Sequence, residues 1–135
     1  VVPVLDEEDN VRVLAAEVAE SLVDTNWELV FIDDGSTDST PARLEELAAA
    51  DDRIRVLKLS RNFGQTAALQ AGFEVARGRM IITIDGDLQD PPEVIPEMVS
   101  AWRSGYEVVL DSASTAPEKI LIVFRVTLVG LSCSG

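Results

Sequence analysis

With 135 residues, 47% of them apolar and 26% charged, the chain has apolar surface for one packed domain and does not read as disordered. It has no histidine and one cysteine, Cys133, which excludes imidazole acid–base catalysis, Ser-His-Asp triads and a disulfide framework, and leaves oxygen ligands for any metal. Eleven basic against 24 acidic residues give a net charge of −13, which argues against nucleic acid as a partner and means that an anionic substrate needs an intervening cation.

The chain opens at Val1 inside an apolar run, without methionine or a signal-peptide pattern, so a domain incomplete at its start is expected. Residues 1–5 read as a strand and lead into the acidic turn 6–10. Val11, Leu14, Ala15, Val18 and Leu22 then recur at helical spacing and predict an amphipathic helix. Residues 28–33 form a buried-type strand that ends in Asp33-Asp34-Gly35-Ser36, after which Ser39 or Thr40 is expected to cap a helix with Pro41 in its first turn. Residues 54–59 are the next strand, the loop 60–64 follows, and an alanine-rich helix over 66–77 is expected to stop at Gly78. A strand over 80–84 delivers Asp85, and after Pro91-Pro92 a helix carries Val94, Ile95, Met98, Val99 and Trp102 on one face. Gly105 ends that helix and residues 106–110 predict a further strand. Such alternation predicts an α/β fold, a mostly parallel sheet with helices on both faces, whose ligands bind at the carboxyl ends of the strands.

Three acidic clusters fall at such ends: Asp6-Glu7-Glu8, Asp33-Asp34 and Asp85-Gly86-Asp87. In the last, two carboxylates separated by a glycine repel one another and favour a cation between them, and Mg2+ or Mn2+ so held completes its shell with phosphates and water. An acidic turn capping the next helix is the other reading of the same residues. Asp33-Asp34-Gly35-Ser36 reads either as an acceptor for a base N–H or ribose hydroxyl, or as a capped Asp-Gly turn. Asp6-Glu7-Glu8 reads equally as the acidic first turn of a helix. Arg61 and the helix start after it offer a cation and free N–H groups that suit an anion, and Gln89 and Asp90 are polar groups beside Asp87 in sequence.

Taken in order, the segments Val1-Val-Pro-Val-Leu-Asp-Glu-Glu8, Ile32-Asp-Asp-Gly-Ser-Thr-Asp-Ser-Thr40, Leu59-Ser-Arg-Asn-Phe-Gly-Gln65, Ala71-Gly72, Ala76-Arg-Gly78 and Ile84-Asp-Gly-Asp-Leu-Gln-Asp-Pro-Pro-Glu93 resemble the family 2 glycosyltransferases of the GT-A (Rossmann-like) fold. The likeness is closer still to those that act on polyprenyl phosphates. The resemblance covers residues 1–110, the expected nucleotide-sugar-binding core, and fails over 111–135, a divergent or truncated tail. It implies a UDP- or GDP-sugar donor, an undecaprenyl or dolichyl phosphate acceptor, inversion at the sugar, and a location at the cytoplasmic face of a membrane.

By the same resemblance, Pro3, Leu5 and Glu7 line the nucleotide pocket, Ile32 and Asp34 contact the base, and Arg61, Gly86 and Gln89 lie along the donor. Asp85 and Asp87 hold the metal and diphosphate as catalytic groups. The family pattern at the first segment is P-x-Y-N-E, so Leu5 stands for an aromatic residue and Asp6 for an asparagine. A lipid phosphate is already ionised and needs no strong base; a saccharide hydroxyl would need one, with Asp90 the candidate.

The apolar stretch 120–131, with Arg125 inside it, is shorter than the roughly 20 residues of a membrane span and reads as a core element, a membrane-surface helix or an altered end. A saccharide acceptor and a catalytically incomplete donor-binding fragment stay open as alternatives. A nucleotidyltransferase would show a Gly- and Lys/Arg-rich loop after its first strand, where this chain is acidic. A receiver-like signalling domain would need a lysine on a late strand, for which Lys119 is a poor match.

Overall fold

The computed structural model describes residues 1–23, 25–78, 81–84, 95–104 and 122–123. Strand β1 (Val2–Val4) pairs in parallel with β2 (Leu29–Asp33), and β2 in parallel with β3 (Ile54–Lys58). Every residue of β2 is buried, whereas β3 is buried only at Ile54 and exposed at Lys58, so β2 is the strand covered on both faces. This explains its unbroken apolar run: side chains alternate between two buried faces, so neither face selects polar residues.

Leu29 and Phe31 belong to one core with α1 (Val11–Ser21), α2 (Thr40–Ala50) and α4 (Ile95–Arg103), through Val11, Leu14, Val18, Leu44, Ile95 and Val99. Val30 and Ile32 belong to the opposite core, with Ala68 of α3 (Gln65–Val75) and the half-buried Val1 and Leu57. The predicted face of α1 is therefore packed, as are Ile95, Met98 and Val99 of α4, while Val94 and the Trp102 side chain lie outside the described residues; full burial of a side chain such as Leu14 contributes about 1.5–3 kcal/mol.

After β3 the chain reverses direction across the sheet. Val1 N donates to Ile82 O at 2.8 Å and Val1 O accepts from Ile84 N at 3.2 Å. These two bonds bracket Thr83 as in a parallel pair and set residues 82–84 on the side of β1 away from β2. The order is then β3-β2-β1 followed by this segment, with α1 and α2 on one face and α3 on the other. The carboxyl ends of β1 and of residues 82–84 flank the point where the winding reverses, the place where ligands enter such sheets.

Part of that segment, β4 (Ile81–Ile82), also pairs antiparallel with β5 (Ile122–Val123). These two residues of the apolar tail are thus extended and paired, not part of a membrane-surface helix. The strand predicted over 106–110 lies outside the described residues. No helix among the described residues is long and apolar enough to cross a membrane.

One predicted boundary shifts for a tertiary reason, and the N-cap at Ser39 falls where expected but forms without its side chain. Helix α3 ends at Val75 rather than running to Arg77, and Ala76 is extended (φ −66°, ψ 136°). Its end is held by an ion pair: Arg55 Nη1 donates to Val75 O at 2.9 Å and to Glu28 Oε1 at 2.8 Å, while Arg77 N donates to Glu28 Oε2 at 2.6 Å. At α2, Ser39 makes no side-chain cap. The Thr40 N–H donates to Asp38 Oδ1 at 2.8 Å, and the Thr40 hydroxyl accepts from Glu7 N at 2.9 Å, so the hydroxyl serves the neighbouring loop.

Candidate functional site

The carboxyl edge of β1 and β2 gathers the first two acidic clusters. Asp6 has φ +52°, a left-handed conformation that asparagine and aspartate accept more readily than other side chains. The asparagine of the resembling family pattern is therefore replaced by the other residue suited to this backbone. Asp6 Oδ1 accepts from Thr37 N at 2.8 Å and Asp38 N at 3.3 Å, and Asp6 N donates to Ser36 Oγ at 2.9 Å.

Glu8 Oε2 accepts from Ser39 N at 2.9 Å, Glu8 N donates to Asp38 Oδ2 at 3.4 Å, and Arg43 Nη1 donates to Glu8 O. Desolvation works to raise the Asp38 carboxyl, but hydrogen bonds from Thr40 and the Glu8 N–H outweigh it and hold it below its ordinary value. Most of this acidity is thus consumed in joining loop 5–10 to loop 36–40. Acids here do not serve as the first turn of a helix, because α1 starts only at Val11.

Pro3 and Glu7 are half-buried and Leu5 is 41% exposed, so the strand end presents an apolar side chain at the rim. Glu7 Oε2 accepts from Asn10 Nδ2 at 2.7 Å. Ile32 is fully buried beneath α3, with its Cγ1 3.2 Å from where a Cβ on Gly72 would stand. Its side chain packs against α3 beneath the carboxyl edge.

Asp33 is fully buried; its Oδ1 accepts from Ser36 N at 2.9 Å and its Oδ2 has no partner among the described residues. A buried carboxylate oxygen left unpaired is costly, and such atoms concentrate at functional sites. Spacing along the chain does not tell Asp33 from Asp34, because the two aspartates are adjacent.

Asp34 is 5% exposed and accepts from Phe63 N (2.8 Å, Oδ1) and Gly64 N (3.0 Å, Oδ2). These N–H groups lie at the start of α3, whose N-cap is Gly64. Asp34 thus engages the two N–H groups that precede the first helical residue, Gln65. Arg61, on the same loop, places its guanidinium 4.6 Å from the Phe63 ring centre, and Phe63 is 49% exposed.

Asp85, Gly86, Asp87, Gln89 and Asp90 lie outside the described residues. Ile84, which immediately precedes Asp85, is buried and hydrogen-bonded to Val1 beside β1. Among the described residues no group of three or more acids, histidines or cysteines could hold a metal ion.

The galacturonate synthase acting with dodecaprenyl phosphate from Rhizobium johnstonii is 48% identical over 103 residues, 74% of this chain and 30% of that protein. A prophage bactoprenol glucosyl transferase homologue of Escherichia coli K12 is 43% identical over 116 residues, 84% of this chain and 38% of the relative. The chain thus spans about a third of the length of these curated relatives. A mannosyltransferase from Pyrobaculum calidifontis, solved with GDP-Man and Mn2+, superposes at a TM-score of 0.66 over 79% of this chain and 32% of that one at 20% identity. That likeness speaks for the fold, which is the GT-A arrangement. The model of glycosyl transferase family 2 matches residues 1–127, and with the shared fold and these identities the chain is a member of that family.

Proposed function

We propose that this chain forms the donor-binding part of a glycosyltransferase that moves a sugar, with inversion, from a UDP- or GDP-sugar to a polyprenyl phosphate at the cytoplasmic face of a membrane. The observation that carries the proposal is the reversal point of the sheet, where residues 82–84 lie parallel beside Val1 at the start of β1 and Asp85 follows in sequence. Relatives named for dodecaprenyl phosphate and bactoprenol support the lipid acceptor.

Asp85 and Asp87 would hold Mg2+ or Mn2+, which suits a chain with no histidine and one cysteine, and Gln89 and Asp90 flank them in sequence. When bound, the ion neutralises charge on the departing nucleoside diphosphate. Leu5 offers the nucleotide an exposed apolar side chain, with Pro3 and Glu7 on the same strand end. Asp34 keeps free lone pairs for a base N–H, because each of its oxygens accepts one described bond. With a phosphate acceptor no residue need remove a proton; Asp90 would do so only for a hydroxyl acceptor.

Calorimetry with UDP-glucose and GDP-mannose, each with Mn2+, tests the reading. Wild type is expected to bind one of them, and Asp87→Ala to weaken that binding by at least about tenfold, the scale of one lost charge-assisted contact. Metal-independent binding untouched by Asp87→Ala would overturn it.

A further inference from the structure

Asp34 is a nearly buried carboxylate with no ion pair among the described residues, and its two hydrogen bonds both go to main-chain N–H groups of one loop. The same loop is pressed against the turn that carries Asp34: a Cβ on Gly35 would stand 2.6 Å from Asn62 N and 2.8 Å from Arg61 C. Gly64 has φ +99° and its N–H is shared between Asp34 Oδ2 and Asn62 Oδ1, each at 3.0 Å. Among the described residues, the main chain of 61–64 is held by the Asp34 carboxylate, the Asn62 side chain and the Gly35 turn, while the side chains of Arg61 and Phe63 stack on each other at the surface. Arg61 forms no ion pair among the described residues, so its charge remains available in a chain of net charge −13.

We propose that Asp34 is a positioning residue that latches loop 61–64 and so holds the Arg61 guanidinium at the edge of the nucleotide site. The inference rests on the nucleotide-site reading above and adds to it a second task for the carboxylate. A base N–H that takes a free lone pair of Asp34 engages the same group that holds Arg61 in place, so the base and the loop are coupled through one side chain. Loss of the latch removes two contributions together: the base acceptor and the ordered cation.

Amide exchange and nucleotide binding, measured on the same variants, test this. In the free protein, Asp34→Asn replaces one accepting oxygen by an NH2 group, and the Phe63 and Gly64 amides are expected to exchange about tenfold faster. Gly35→Ala leaves the carboxylate intact but drives a methyl group into the Asn62 and Arg61 main chain, and is expected to raise exchange at the same two amides. It also serves if Asp34→Asn fails to fold.

Binding of UDP and GDP with Mn2+ is then followed through a double-mutant cycle. Arg61→Ala is expected to weaken the nucleotide that binds by about fivefold or more in the wild-type background and by less than about twofold in the Asp34→Asn background. Unchanged amide exchange, or an Arg61→Ala effect of the same size in both backgrounds, overturns the latch while leaving the nucleotide site standing. If neither nucleotide binds wild type, the nucleotide-site reading itself falls and this inference with it.

Discussion

Asp6, Asp33, Asp34 and Glu28 carry the same chemical group, and their surroundings give each a different task. Asp6 caps the 37–38 main chain from a left-handed backbone, Asp34 holds the loop before α3, and Asp33 has one oxygen without a partner among the described residues. Glu28, beside the amino end of β2, faces Arg55 and the Arg77 N–H. Burial alone would push the Glu28 carboxyl up, but the Arg77 N–H and the Arg55 guanidinium outweigh it and hold it below its ordinary value. A carboxyl depressed in the folded state adds stability above its unfolded value of about 4.3, and the contribution is lost as pH falls through the folded value. Urea midpoints of wild type and Glu28→Gln should therefore differ most near neutral pH and converge in acid below about pH 4. A gap that stays constant with pH would show that the carboxylate charge plays no part.

At the scale of elements, the sheet is decided by close approach as much as by propensity. Helix α3 lies tightly on β1 and β2 because Gly72 has no side chain: a Cβ there would come 2.4 Å from Val1 Cγ1 and 3.2 Å from Ile32 Cγ1. Gly72→Ala should destabilise the fold by about 1–3 kcal/mol through overpacking, even though alanine is the better helix former by about 1 kcal/mol. Chemical denaturation reads the difference, and a stabilised variant would mean that the helix has room to shift. The other end of α3 is set from outside the helix, by Arg55 and Glu28, so a helix boundary depends on an ion pair between β3 and the residue preceding β2.

At the scale of the whole molecule, the reversal of winding beside β1 and the excess of acid both bear on behaviour. Ion pairs such as Arg12–Glu46 and Arg53–Asp51 are surface pairs and offset little of the repulsion expected at a net charge of −13. Raising NaCl from about 10 mM to about 150 mM should therefore raise the melting temperature, because screening weakens self-repulsion more than it weakens a few surface pairs. Thermal unfolding followed by circular dichroism checks this; a fall with salt would mean that the local pairs dominate.

The sequence by itself determined the alternation of strands and helices, the packed faces of α1 and α4, and the family. Apolar periodicity and the ordered motifs from Pro3 to Pro92 are local properties of the chain. Only the tertiary structure decided which acid does what. Spacing could not say that Asp34 faces the 63–64 main chain or that Ile32 lies beneath α3. Nor could it say that the Thr40 hydroxyl accepts from the Glu7 N–H, because each partner lies at least 29 residues away in sequence. The position of residues 82–84 beside β1 is equally non-local, since two main-chain bonds to Val1 set this segment alongside the start of β1. Such bonds form between main-chain groups common to every residue type, so side-chain identity carries no record of them.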